Sequence, residues 1–118
     1  MEQKFLSFVQ LFNQGLYRQA LDPIEEFWFA ERDPFYQGLV QLTVALNQLF
    51  HYRLVSGPKY LLASAERLLK PYLPRYKGLD TRSILEYIGR CQEAIEGEGV
   101  PSPVDDFPRL RLDFTPDP

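Results

Sequence analysis

The stretch LDPIEEFW, Leu21 to Trp28, gathers three carboxylates, a proline and a tryptophan within eight positions. Asp22 and Glu25 stand three apart, so on a helix they lie near one face, the arrangement a general acid/base pair would need. Oxygen ligands of this kind also suit magnesium or calcium, but Asp22, Glu25 and Glu26 lack the ordered spacing of a calcium loop. A second use is available to the same residues. Asp22-Pro23-Ile24-Glu25 places aspartate at a helix N-cap, proline at the first helical position and glutamate at the third, which is a capping box. The capping reading takes precedence over the catalytic one. Trp28, in register with Ile24, either lines a pocket or joins the core, and core is the ordinary use.

Two further groups carry chemistry. Gln37, Gln41 and Gln48 recur at helical spacing and form either a polar row facing a ligand or a solvated edge. His51-Tyr52-Arg53 is a polar and aromatic cluster suited to an anion or a partner surface, or simply a surface turn. His51 is the sole imidazole and Cys91 the sole cysteine. No intrachain disulfide or thiolate-rich metal site can therefore form, and Cys91 reads as a small buried apolar residue. No Ser/His/Asp set, phosphate-cradling glycine loop or nucleotide fingerprint is present. The expectation is no catalytic residue, no metal and no cofactor.

The elements that must position these residues follow from hydrophobic periodicity. Phe5, Phe8, Val9, Phe12 and Leu16 form one helical stripe, closed by Asn13-Gln14-Gly15. Residues 17–30 form a second helix, kinked or restarted at Asp22. Asp33 caps a third helix with Pro34 at its first position, spanning 34–53, with Phe35, Leu39, Leu42, Leu46, Leu49 and Phe50 on one face and Val40, Val44 and Ala45 broadening it. Its wide apolar face makes it the central helix. Ser56-Gly57-Pro58 opens a fourth, with Leu61, Leu62, Ala65, Leu68 and Leu69, ended by Pro71 and Pro74. A linker, 75–79, leads to a fifth helix from Asp80 that buries Ile84, Leu85, Ile88, Cys91 and Ile95. The expected fold is all-α, a single-domain bundle of about five helices over residues 1–99.

Residues 100–118 differ. Five of the ten prolines lie in the last eighteen residues, so this tail cannot be helical for long. RLRLDF alternates apolar and polar residues as an extended segment with one buried face does. The tail either packs on its own domain, the favoured reading, or serves as an arm for a partner.

With 118 residues, 45% hydrophobic and 25% charged, the chain has the profile of one soluble domain. A net charge of -3 with no basic run disfavours nucleic acid as a partner. No apolar segment is long enough for a membrane span, and MEQKFLSFVQLF lacks a signal core, so a cytoplasmic location is expected.

Phe12-Asn13-x-Gly15-x-Tyr17-x-x-Ala20, Glu25-x-x-Trp28 and Phe35-Tyr36-Gln37-Gly38-Leu39-Val40-Gln41, taken in order, resemble the bacterial and archaeal family called domain of unknown function 309. The resemblance runs from about Phe12 to Leu69. It implies an all-helical fold with no established activity and a His-x-x-x-Glu-x-x-Trp motif suggested to bind metal. Glu25 and Trp28 match that motif, but its histidine position is Leu21, which cannot ligate. A second family histidine falls near Gln48, and the following glycine-asparagine turn is replaced by Tyr52-Arg53-Leu54-Val55. The resemblance thus implies a retained scaffold with a rewritten site. The resulting expectation is a non-catalytic binding or protein-interaction module, with a protein partner or a second copy as ligand. Its contact surfaces would be the groove near Trp28 and the tail. The alternative is a small metal- or carboxylate-dependent enzyme centred on Asp22 and Glu25.

Overall fold

The first helix stops where a glycine lets it. In the computed structural model, which describes residues 2–97 and 107–116, α1 spans Glu2–Asn13. Gly15 takes φ +77°, a left-handed conformation that costs glycine nothing. This lets the Gly15 amide donate to the Phe12 carbonyl and the Leu16 amide to the Leu11 carbonyl, both at 2.9 Å. Two otherwise unpaired carbonyls at the helix end are satisfied, the Schellman arrangement.

Helix α2 spans Tyr17–Glu31 without interruption, the single helix expected over 17–30; only the alternative of a restart capped by Asp22 is corrected. Pro23 lies inside the helix and Asp22 does not cap it; the N-cap position is Leu16, without a side-chain bond. An interior proline forfeits one backbone bond and is worth about 3 kcal/mol against the helix. Tyr17, Ala20, Leu21, Ile24 and Phe27 are all buried on one side, and keeping that stripe in register outweighs the cost, at about 1.5–3 kcal/mol for each large side chain. Arg32, with φ 54°, ends α2 in a left-handed turn.

The Asp-Pro cap expected for the third helix is present. Helix α3, Pro34–His51, starts with Pro34 at its first turn and with Asp33 accepting from the Phe35 amide at 3.0 Å. It ends two residues short of the expected 53. All six residues assigned to its core face are buried. Helix α4 covers Ser56–Leu69 and runs into a short 3-10 turn, Lys70–Tyr72, where Pro71 and Pro74 prevent further helix.

The linker expected at 75–79 is instead a hairpin: β1, Arg75–Tyr76, pairs antiparallel with β2, Leu79–Asp80. Its loop, Lys77 at φ 52° and Gly78 at φ 82°, has the positive dihedrals of a type I′ turn, which matches the natural strand twist. Asp80 then caps α5, Thr81–Glu96, by accepting from the Ser83 amide at 3.2 Å.

The described part of the tail packs on this body. Leu110 and Leu112 are buried between exposed Arg109, Arg111 and Asp113, the alternation expected of RLRLDF. Asn13 clasps Leu112 with both ends of its carboxamide, donating to the carbonyl at 3.1 Å and accepting from the amide at 2.7 Å. The Thr115 amide donates to the Gly78 carbonyl at 2.8 Å, and Leu79 bridges Phe114. These ten residues are therefore not a free arm; residues 98–106, including Gly99 and Val100, lie outside the described part. The architecture is an all-α bundle of five helices with a small β-hairpin. No helix among the described residues is long and apolar enough to cross a membrane.

Candidate functional site

From Pro34 through Phe50 the chain carries no Asp, Glu, Lys, Arg or His. Helix α3 nevertheless has an outward side. With about 3.6 residues per turn, its core face takes Phe35, Leu39, Leu42, Leu46 and Leu49, and the opposite side takes Gln37, Val40, Gln41, Val44, Asn47 and Gln48. Each of these six is half-buried. The outward face of the central helix is thus a strip of carboxamide and valine.

The neighbouring helices wall this strip. On one side is α4: a β-carbon on Gly38 would lie 2.8 Å from the Leu69 side chain and 3.2 Å from Leu68, and one on Gly57 would collide with Oε1 of Gln48. Close approach of α3 and α4 favours glycine at 38, whereas at 57 the Gln48 side chain can swing aside. The half-buried residues of α4, Leu61, Ser64 and Leu68, recur along this edge. On the other side is α2, joined to α3 by stacked Phe27 and Tyr36 rings 5.3 Å apart. Helix α1 occupies the far flank of α2, where Lys4 pairs with Glu26 at 3.2 Å. The helical repeat therefore turns Leu21, Glu25 and Trp28 to the flank beside α3.

Of the residues singled out from sequence, Glu25 and Trp28 lie near one face of α2, and Gln41 and Gln48 near one face of α3. Asp22 does not join them. Its side chain is 81% exposed and reaches back 3.8 Å to Arg18, so Asp22 and Glu25 share no concave site. Trp28 is half-buried against the core and carries the Arg32 guanidinium 5.2 Å from its ring centre. Oε1 of Gln41 and Oε1 of Gln48 are buried and accept no hydrogen bond among the described residues. Leu21, at the position the resemblance gives to histidine, is buried.

His51, Tyr52 and Arg53 separate by role. His51 Nε2 lies 2.9 Å from the Gly15 carbonyl; a carbonyl only accepts, so this nitrogen carries the proton. The ring also packs 5.8 Å from Tyr17. His51 therefore ties the end of α3 to the α1–α2 corner. Tyr52 is exposed, and Arg53, at φ 54°, turns the chain toward α4.

A second polar cluster was not visible in the sequence. Besides capping α3, Asp33 accepts from the Tyr72 hydroxyl at 3.0 Å and the Tyr76 hydroxyl at 2.8 Å. Burial raises the Asp33 pKa, but the Phe35 amide, the two hydroxyls and nearby Lys77 outweigh it and hold the carboxyl below its ordinary value. The bond to Asp33, then burial, pushes Tyr76 up to about 12. This cluster staples the α2–α3 corner to the hairpin, and the only advance signal was the cap itself. Cys91 is buried, which pushes its thiol up to about 11, the state of an inert thiol.

Among the described residues, no three His, Cys, Asp or Glu side chains come together as metal ligands. Searches of curated proteins and of solved structures find no match for this chain. Residues 5–56, which cover α1 from Phe5 through α3 to the first residue of α4, match the profile of a family described as domain of unknown function (DUF309). The chain resembles the DUF309 family over this three-helix segment.

Proposed function

We propose that this chain is a non-catalytic protein-interaction module, and that its contact surface is the outward face of α3 between α2 and α4. The observation that carries the reading is the charge-free run from Pro34 through Phe50 on a helix with a solvent-facing side. Charged side chains suit such positions because they are good helix formers and well hydrated. The centres of protein interfaces are the surfaces depleted of charge. Valine and carboxamide side chains desolvate at lower cost than ions and supply hydrogen bonds in either direction.

The test is photo-crosslinking in extract of the source cells. A photoreactive residue in place of Gln41 is expected to yield protein adducts; one in place of Gln19, exposed on the far side of α2, is not. Equal labelling from both positions, or none from Gln41, would overturn the reading.

A further inference from the structure

We infer that the outward face of α3 binds a second copy of the same face, making an antiparallel two-fold dimer centred on Val44. This rests on the interaction reading above and names its partner. Two-fold symmetry restricts what such a face can carry. In a two-fold contact every residue near the axis meets its own copy, so a charged side chain there confronts a like charge. A face that self-associates must therefore be uncharged near its centre, whereas a face for a different protein can carry charge that its partner complements. One quarter of this chain is charged, yet none of that charge lies between Pro34 and Phe50.

The order of side chains suits an antiparallel crossing. Reflected about Val44, Gln41 exchanges with Asn47 and Val40 with Gln48. At the first of these pairs carboxamide meets carboxamide, offering the Nε2 of Gln41 to Asn47, since the Gln41 oxygen is itself buried; at the second, valine meets the stem of Gln48. Valine meets valine at the axis. The size fits a weak, reversible pair. The 18 residues of α3 extend about 27 Å at 1.5 Å per residue. With flanking strips of α2 and α4, whose axes lie roughly 8–10 Å away on either side, the face offers on the order of 500 Å² per copy. A stable pair of proteins buries about 800 Å² on each side.

The experiment is sedimentation velocity on the purified full chain, with Val44→Arg and Val44→Glu beside the parent. The parent is expected to dimerise reversibly. Each variant alone is expected to weaken the dimer at least tenfold, because its new charge faces itself across the axis. Mixed one to one, the two variants are expected to recover a dimer, since opposite charges then face each other. Circular dichroism checks that each variant folds; should either fail, Gln41→Arg/Asn47→Arg with Gln41→Glu/Asn47→Glu repeats the design one turn away, because position 41 of one copy faces position 47 of the other. A parent still monomeric at about 0.5 mM, near the weak limit of specific association, would sink the inference. So would variants that dimerise like the parent, or a mixture that does not recover. If the parent is monomeric while Gln41 still crosslinks to a different protein in extract, the dimer fails and the interaction reading survives. If neither occurs, both fail.

Discussion

Asp33→Ala should be among the costliest polar substitutions in the chain, and its cost is divisible. The carboxylate accepts three hydrogen bonds: from the Phe35 amide at the start of α3, from Tyr72 and from Tyr76. Loss of an N-cap costs about 1 kcal/mol. A bond to a charged acceptor contributes about 1.5–3 kcal/mol when dry, and about 1 kcal/mol is the fitting figure for each tyrosine in this half-buried setting. The expected total is about 3 kcal/mol, which lowers the thermal midpoint of a chain this size by roughly 10 °C. Urea unfolding of the parent, Asp33→Ala, Tyr76→Phe and the double variant closes a cycle. Tyr76→Phe should cost about 1 kcal/mol in the parent and close to nothing once Asp33 is gone. Asn at this position should fall between, because it keeps the cap but has only one accepting oxygen. The reasoning fails if Asp33→Ala costs under about 0.5 kcal/mol, or if Tyr76→Phe costs the same in both backgrounds.

Both partners of that cluster titrate, and their signs differ. Asp33 is held below its ordinary value of 3.8, so its contribution is complete above 3.8 and is lost as pH falls through the lower folded value. Tyr76 is raised from 10.0 to about 12, so its contribution is complete below 10 and is lost as pH climbs toward 12; urea midpoints across alkaline pH should fall less steeply in Tyr76→Phe than in the parent. Asn13→Ala strips Leu112 of both backbone partners and should cost about 2 kcal/mol, with faster hydrogen exchange at the Leu112 amide; unchanged exchange would show that the tail is held without the clasp. Pro23→Ala should stabilise by about 1–2 kcal/mol by restoring an interior helix bond, and a loss of stability in thermal unfolding would mean that the proline has a use in the fold.

Two aspartate–proline pairs show where sequence reading reaches its limit. Asp22-Pro23 and Asp33-Pro34 carry the same local signature, and both read as helix starts. Only the second is one. Ahead of Asp33, Arg32 turns left-handed and the apolar stripe of α2 has ended. Ahead of Asp22 the stripe continues on both sides, and burial of Ile24 and Phe27 with Tyr17 and Ala20 carries the helix through the proline. Local chemistry proposed both starts, and tertiary packing kept one. The hairpin was hidden for a related reason: strands of two residues have no periodicity, and part of what braces them is Phe114, far along the chain. The five helices were legible because each buries a stripe several turns long. The candidate site was legible only in part. Gln41 and Gln48 were visible as a row, but whether that row faced solvent or a groove depended on where α2 and α4 lie.

The polar contacts that hold this fold and the face proposed for binding are separate sets. Asn13 clasps the tail, Asp33 staples the hairpin, and His51 pins the corner at Gly15. All three lie at the ends of helices or beside the tail. Along the outward strip of α3, the described contacts work against the fold if anything. Two carboxamide oxygens are buried without partners, a cost on the order of 1–3 kcal/mol each. Val40 and Val44 are half-buried against the core, so valine serves the fold at these two positions. Core packing accounts for the two valines but not for the absence of charge at Gln37 and Asn47, which are half-buried on the same side. On the proposed reading those positions belong to a partner surface, and a charge at Val44 should then disturb association more than it disturbs folding.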